Sequence, residues 1–103
     1  MANSNPPKKN QAFTVRIFLD DMAVQGSFKA NPTIAAGDFK VDIDGAGYND
    51  LSTLPTVSPA GSVSVLVSLS SSEMNGNQIT LTAIDQTVPK EWADYGVCIE
   101  TTA

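Results

Sequence analysis

From Ser62 to Asp85 the chain reads SVSVLVSLSSSEMNGNQITLTAID, two alternating runs around a polar spacer. In the first run Val63, Val65, Val67 and Leu69 share one face, and Ser64, Leu66, Ser68 and Ser70 share the other. In the second, Ile79, Leu81 and Ala83 oppose Thr80 and Thr82. Period-two alternation with β-branched residues reads as half-buried strands. Two such strands cannot bury their apolar face alone, so other segments must supply a facing layer.

Those segments are visible along the chain. Phe13, Val15, Ile17 and Leu19 alternate with Thr14, Arg16, Phe18 and Asp20 in a first strand. Phe39, Val41 and Ile43 alternate with Lys40, Asp42 and Asp44 in another. Asp44-Gly45 with Gly47 predicts a hairpin-type turn, because these residues tolerate positive φ, and Tyr48 to Leu51 then returns as a short strand. Met22 to Lys29 carries a weaker strand signal around Val24 and Phe28. Pro55 and Pro59 make the stretch from Thr53 to Gly61 an edge or a connection. Ser70 and Glu73 match the S-x-x-E capping pattern and Asn75-Gly76 can stop a turn, so a short helical turn is expected near 70–76. Tyr95, Val97 and Ile99 alternate with Gly96, Cys98 and Glu100 in a terminal strand. The expected fold is all-β: a small Ig-like sandwich of about six or seven strands, with turn signals roughly every 8–12 residues.

A chain of 103 residues is one domain. The expected division is a flexible N-terminal arm over residues 1–11 and a single β-sandwich domain over 12–103. The arm is polar and has nothing to bury; it reads first as a loose tail, and second as an arm that orders on a neighbouring subunit. The stretch MANSNPPKKNQ has no apolar core region, so no secretory signal is expected. No apolar run approaches the roughly 18 residues needed to span a membrane.

Composition narrows the chemistry. The net charge is -5, which argues against a nucleic-acid partner, since that affinity comes chiefly from clustered Lys and Arg. There is no His, the commonest general base and metal ligand. Cys98 is the single cysteine, so an intrachain disulfide is excluded, and between Val97 and Ile99 it reads as a small buried or half-buried residue. Asp42, Asp44 and Asp50 form the one carboxylate cluster. Oxygen ligands at alternating positions suit Ca²⁺, yet Gly45 follows the second Asp too early for an EF-hand, and a solvated strand face running into a turn is the better reading. Ser70, Ser71 and Ser72 have no His to activate them and no nucleophile elbow. Trp92 reads as a core plug before a surface anchor, and Tyr48 stands between core rim and surface. No catalytic, cofactor-binding or metal-binding residue is assigned, and an enzyme is not expected.

The order of pieces carries a resemblance. The series GDFKVDIDGAGYNDLSTLPTVSPAGSVSVLVSLSSSEMNGNQITL, followed by a Trp before a final alternating strand, resembles a family of small Ig-like virion proteins of tailed bacteriophages. The resemblance spans residues 12 to 101 and rests on turn and core positions, so it transfers no functional residues. It implies a capsid decoration or cement protein that binds the major capsid protein lattice on the outer head surface, as a homo-oligomer or a monomer, after synthesis in the host cytoplasm. The alternatives are a tail, neck or baseplate adaptor with the same fold, and a small carbohydrate-binding domain stacking sugars on Tyr48, Trp92 or Phe18.

Overall fold

The computed structural model describes residues 6–102 and has no helix among them. Seven strands follow in order: β1 (Phe13–Phe18), β2 (Phe39–Ile43), β3 (Tyr48–Asp50), β4 (Thr56–Val57), β5 (Ser64–Leu69), β6 (Gln78–Ala83) and β7 (Tyr95–Glu100). They form a three-stranded sheet, β1-β5-β4, and a four-stranded sheet, β3-β2-β6-β7. Every strand pair is antiparallel. These orders match the B-E-D and C′-C-F-G sheets of an Ig-like sandwich, with no strand in position A among the described residues.

The alternation sets which side chains meet between the sheets. Ile17 from β1 and Val65, Val67 and Leu69 from β5 are buried with Phe39 and Val41 from β2, Ile79, Leu81 and Ala83 from β6, and Ile99 from β7. The two runs that frame Ser62–Asp85 are thus the central strand of one sheet and an inner strand of the other. Leu19, Met74 and Trp92 complete the core from outside the strands.

The turns follow their chemistry. Asp44 and Gly45 have φ of 54° and 80°, as a type I′ hairpin requires, and Ala46 N donates to Ile43 O at 3.1 Å. Asp42 pairs with Tyr48, so Gly47 is an extra residue on the β3 side, a bulge whose N–H donates to the Asp42 carboxylate at 2.9 Å. At 70–76 the capping pattern closes reciprocally. Glu73 N donates to Ser70 Oγ at 3.2 Å, and Ser70 N donates to Glu73 Oε1 at 2.8 Å. One bond, Met74 N to Ser70 O at 3.0 Å, makes a single helical turn that does not extend into a helix. The second Glu73 oxygen accepts from Ser52 N at 2.9 Å, pinning the β3–β4 crossover.

Two local readings are corrected, the Met22–Lys29 strand and the burial of Cys98. Met22 to Lys29 forms no strand; isolated bridges join Asp20 to Phe28 and Asp21 to Trp92 instead. Gly76 does not have a positive φ; a Cβ there would lie 2.5 Å from Ile43 Cγ2, so the position demands space and not a left-handed backbone. Cys98 is exposed, because it shares the outward face of β7 with Gly96 and Glu100. As for the arm expected over 1–11, residues 1–5 lie outside the described residues. Beyond them, Lys9 N donates to Thr102 O at 2.9 Å, Thr102 N to Pro7 O at 2.9 Å and Asn10 N to Met74 O at 3.0 Å. Backbone pairing, with the Thr102 hydroxyl donating to Pro7 O at 3.3 Å, ties this stretch to the domain.

Candidate functional site: the loop end of the sandwich

The β1–β2, β4–β5 and β6–β7 connections all leave from the same end of the sandwich, the end that carries the binding loops in antibody variable domains. Here they are tied to one another. Asn31 N donates to Ser62 O at 2.8 Å, Met22 N to Glu91 O at 3.0 Å and Ala93 N to Asp20 O at 2.9 Å. The Glu91 carboxylate accepts from Thr33 N at 2.9 Å and Thr33 Oγ1 at 3.1 Å. Beneath them Trp92 is fully buried, with its ring centroid 5.9 Å from that of Phe39 and its Nε1 donating to Thr33 O at 3.2 Å.

Two buried carboxylates shape the same end. Asp38 accepts from Ala35 N at 2.9 Å and Gln86 N at 3.1 Å, joining the β1–β2 and β6–β7 connections. Asp85 accepts from Thr87 N at 2.9 Å and Glu91 N at 2.7 Å. Burial alone would raise the Asp85 pKa; the N–H groups of Thr87, Glu91 and Trp92 and the Thr87 hydroxyl outweigh it and hold the carboxyl below 3.8.

Among polar loop residues this framework presents several large apolar side chains to solvent. Met22, Val24 and Phe28 are each more than half exposed, and Val88 is 93% exposed. Phe28 stacks on Phe18 with centroids 5.2 Å apart. Met22 and Pro89 line a shallow depression of about 370 Å³ rimmed by Asp21, Lys29, Lys90 and Glu91. Apolar side chains of this size on a braced loop end suit a protein contact better than a small-molecule cleft.

Of the residues singled out from sequence, Trp92 and Phe18 belong to this end and the others fall elsewhere. Asp42 and Asp44 are spent on the β2–β3 turn and its neighbours, and Asp50 pairs with Lys40 at 2.7 Å. Asp44 accepts from Gln78 N and Asn77 N, which lower its pKa; desolvation opposes them and the Lys9 charge adds to the lowering, each less than either N–H. No group of three or more His, Cys, Asp or Glu among the described residues is placed to hold a metal ion. Ser70 caps its turn. Tyr48 is half exposed on the edge strand β3, and Trp92 offers no ring face to a sugar. The loop carboxylates Asp38 and Asp85 carried no sequence signal beyond lying next to strand ends, and Glu91, in the middle of the β6–β7 connection, carried none. Comparison with protein-family models, curated proteins and solved structures finds no match for this chain.

Proposed function

We propose that this chain is a non-enzymatic structural protein of a tailed phage, a decoration protein that binds the outer capsid lattice through the loop end of its sandwich. The observation that carries the binding role is the combination of exposed Met22, Val24, Phe28 and Val88 with loops already fixed by Thr33–Glu91 and Met22–Glu91 bonds. Apolar contacts on pre-ordered loops lose little conformational entropy on docking. The phage setting comes from the sequence resemblance alone. The partner in this reading is the major capsid protein, and the location is the virion surface. Quantitative mass spectrometry of purified particles tests it: many copies per particle, lost with the head fraction, support decoration. A few copies that travel with tails establish the adaptor reading in its place.

A further inference from the structure

An Ig-like sandwich sets a strand A beside strand B, and no described residue pairs with β1 in that place. The chain that leads into β1 goes elsewhere, because Lys8 bridges Thr102 beyond the end of β7. Hydrogen-bond parity fixes which groups of β1 are left. Ser58 N donates to Ser64 O, so Ser64 and Leu66 face β4, and Val65, Val67 and Leu69 bond to Ile17, Val15 and Phe13. Asp20 O accepts from Ala93 N on the opposite edge, which agrees. The N–H and C=O groups of Thr14, Arg16 and Phe18 therefore face outward, with no backbone partner among the described residues. Nothing in β1 blocks this edge. It has no Pro or Lys, and the Arg16 guanidinium folds back over β5 onto Ser58 O and, at 2.9 Å, Ser64 Oγ. The other edges are short or flanked: β3 and β4 have 3 and 2 residues, and Pro7 and Lys9 pair with Thr102 beside β7.

The same flank leaves the core partly uncovered. Phe13 and Val15 of β1 and Tyr95 and Val97 of β7 turn toward the core yet are only half-buried, whereas Val65 and Leu81 on inner strands are fully buried. Backbone pairing closes the flank at both ends, Ala93 on Asp20 at one and Lys9 on Thr102 at the other. We propose that the slot between these ends binds an extended segment of another protein, about five residues long, which adds to β1 as strand A. The slot dictates the segment's chemistry. Its residues opposite Phe13, Val15 and Ile17 take non-hydrogen-bonded positions, face the core and are apolar. Those opposite Thr14 and Arg16 bond to β1, face solvent, and cannot be proline. The exposed Phe18–Phe28 pair borders the slot where the segment leaves it. This chain has no such segment to lend, to itself or to a second copy. Residues 1–12 contain one large apolar side chain, Met1, and the alternating runs further on are committed to its own strands. The inference stands apart from the capsid reading, which uses the loop end.

The probe is the end-blocked peptide Lys-Val-Thr-Val-Thr-Val-Lys, titrated to millimolar into the isotopically labelled full chain and followed by NMR. Saturable shifts are expected along β1 and at Val97, and amide exchange of Thr14, Arg16 and Phe18 should slow about tenfold or more. Two control peptides fix the mode. Lys-Val-Val-Val-Thr-Thr-Lys keeps the composition and loses the alternation; Lys-Val-Pro-Val-Pro-Val-Lys keeps the alternation and loses the N–H groups that bond to β1. Each should bind about fivefold more weakly or worse. On the protein side, Thr14→Pro removes one outward N–H and should weaken the first peptide about threefold or more, with circular dichroism reporting the fold. If that variant does not fold, Val97→Thr carries the comparison, since it sets a hydroxyl among the apolar side chains of the slot. No saturable response, equal binding of the scrambled peptide, or shifts confined to the loop end overturns the proposal. Self-association that protects the same three amides without peptide gives the slot to a second copy and overturns it as well.

Discussion

The indole N–H of Trp92 donates to the Thr33 carbonyl at 3.2 Å, and Glu91, one residue earlier, takes the Thr33 N–H on its carboxylate at 2.9 Å. One threonine in the β1–β2 connection is thus held on both backbone sides by adjacent residues of the β6–β7 connection. Trp92 buries its ring under that clasp against Phe39. Replacing Trp92 by Ala should destabilise the protein by about 3–5 kcal/mol. Trp92→Phe keeps most of the packing and leaves the Thr33 carbonyl without its donor, at about 1–2 kcal/mol. Urea unfolding with an unchanged m-value distinguishes the two.

The exposed side chains above the clasp have no such structural duty. Met22→Asp and Val88→Asp should each leave the thermal midpoint nearly unchanged, since surface substitutions of this kind stay within about 0.5 kcal/mol. Under the proposed function each should weaken binding to undecorated capsids by about tenfold or more, as loss of an apolar anchor does. Sedimentation of the chain with capsids reads this directly. Unaltered binding by the double variant would move the contact to another face.

Much of the fold was legible because burial in a sandwich has the period of the strand. The alternation of Val65, Val67 and Leu69, and of Ile79, Leu81 and Ala83, predicts their burial one by one. Asp44-Gly45 and Ser70-x-x-Glu73 were legible for a related reason: each is a local pattern whose hydrogen bonds close within a few residues. The loop end was not. Thr33 and Glu91 are 58 residues apart, and Asp38 reaches Gln86 across 48, so nothing local marks either pair. Asp38 and Asp85 look like polar residues at strand ends, and their burial appears only when the loops are laid over each other.

Gly76 shows how a turn signal can point at the right residue for a different reason. Its hypothetical Cβ would lie 2.5 Å from Ile43 Cγ2 and 2.8 Å from Asp44 Oδ2. Gly76→Ala should therefore push on the β2–β3 turn and destabilise by about 1–3 kcal/mol, the usual range for overpacking. Gly96 is the control, because a Cβ there meets nothing closer than 3.8 Å. Gly96→Ala should be neutral or slightly stabilising, the effect of restricting the unfolded chain. Denaturation midpoints for the two variants, measured side by side, test the contrast.

Asp85 ties acid stability to the loop end. Its folded pKa lies below the ordinary 3.8, so the unfolded chain takes up the proton more readily than the folded one. The stabilisation from its ionised form is complete above 3.8 and is lost as the pH falls through the lower folded value. Asp44, depressed by the N–H groups of Gln78 and Asn77, contributes in the same direction from the opposite end of the sandwich. Asp85→Asn keeps an acceptor for one N–H and loses the charge, so at neutral pH it should be less stable than wild type by about 1–3 kcal/mol. The gap should narrow on acidification, because the wild type loses through protonation what the variant already lacks. Urea midpoints of both chains from neutral pH down to below 3 trace that convergence. Parallel curves over the whole range would mean that the Thr87 and Glu91 bonds do not depend on the ionised carboxylate.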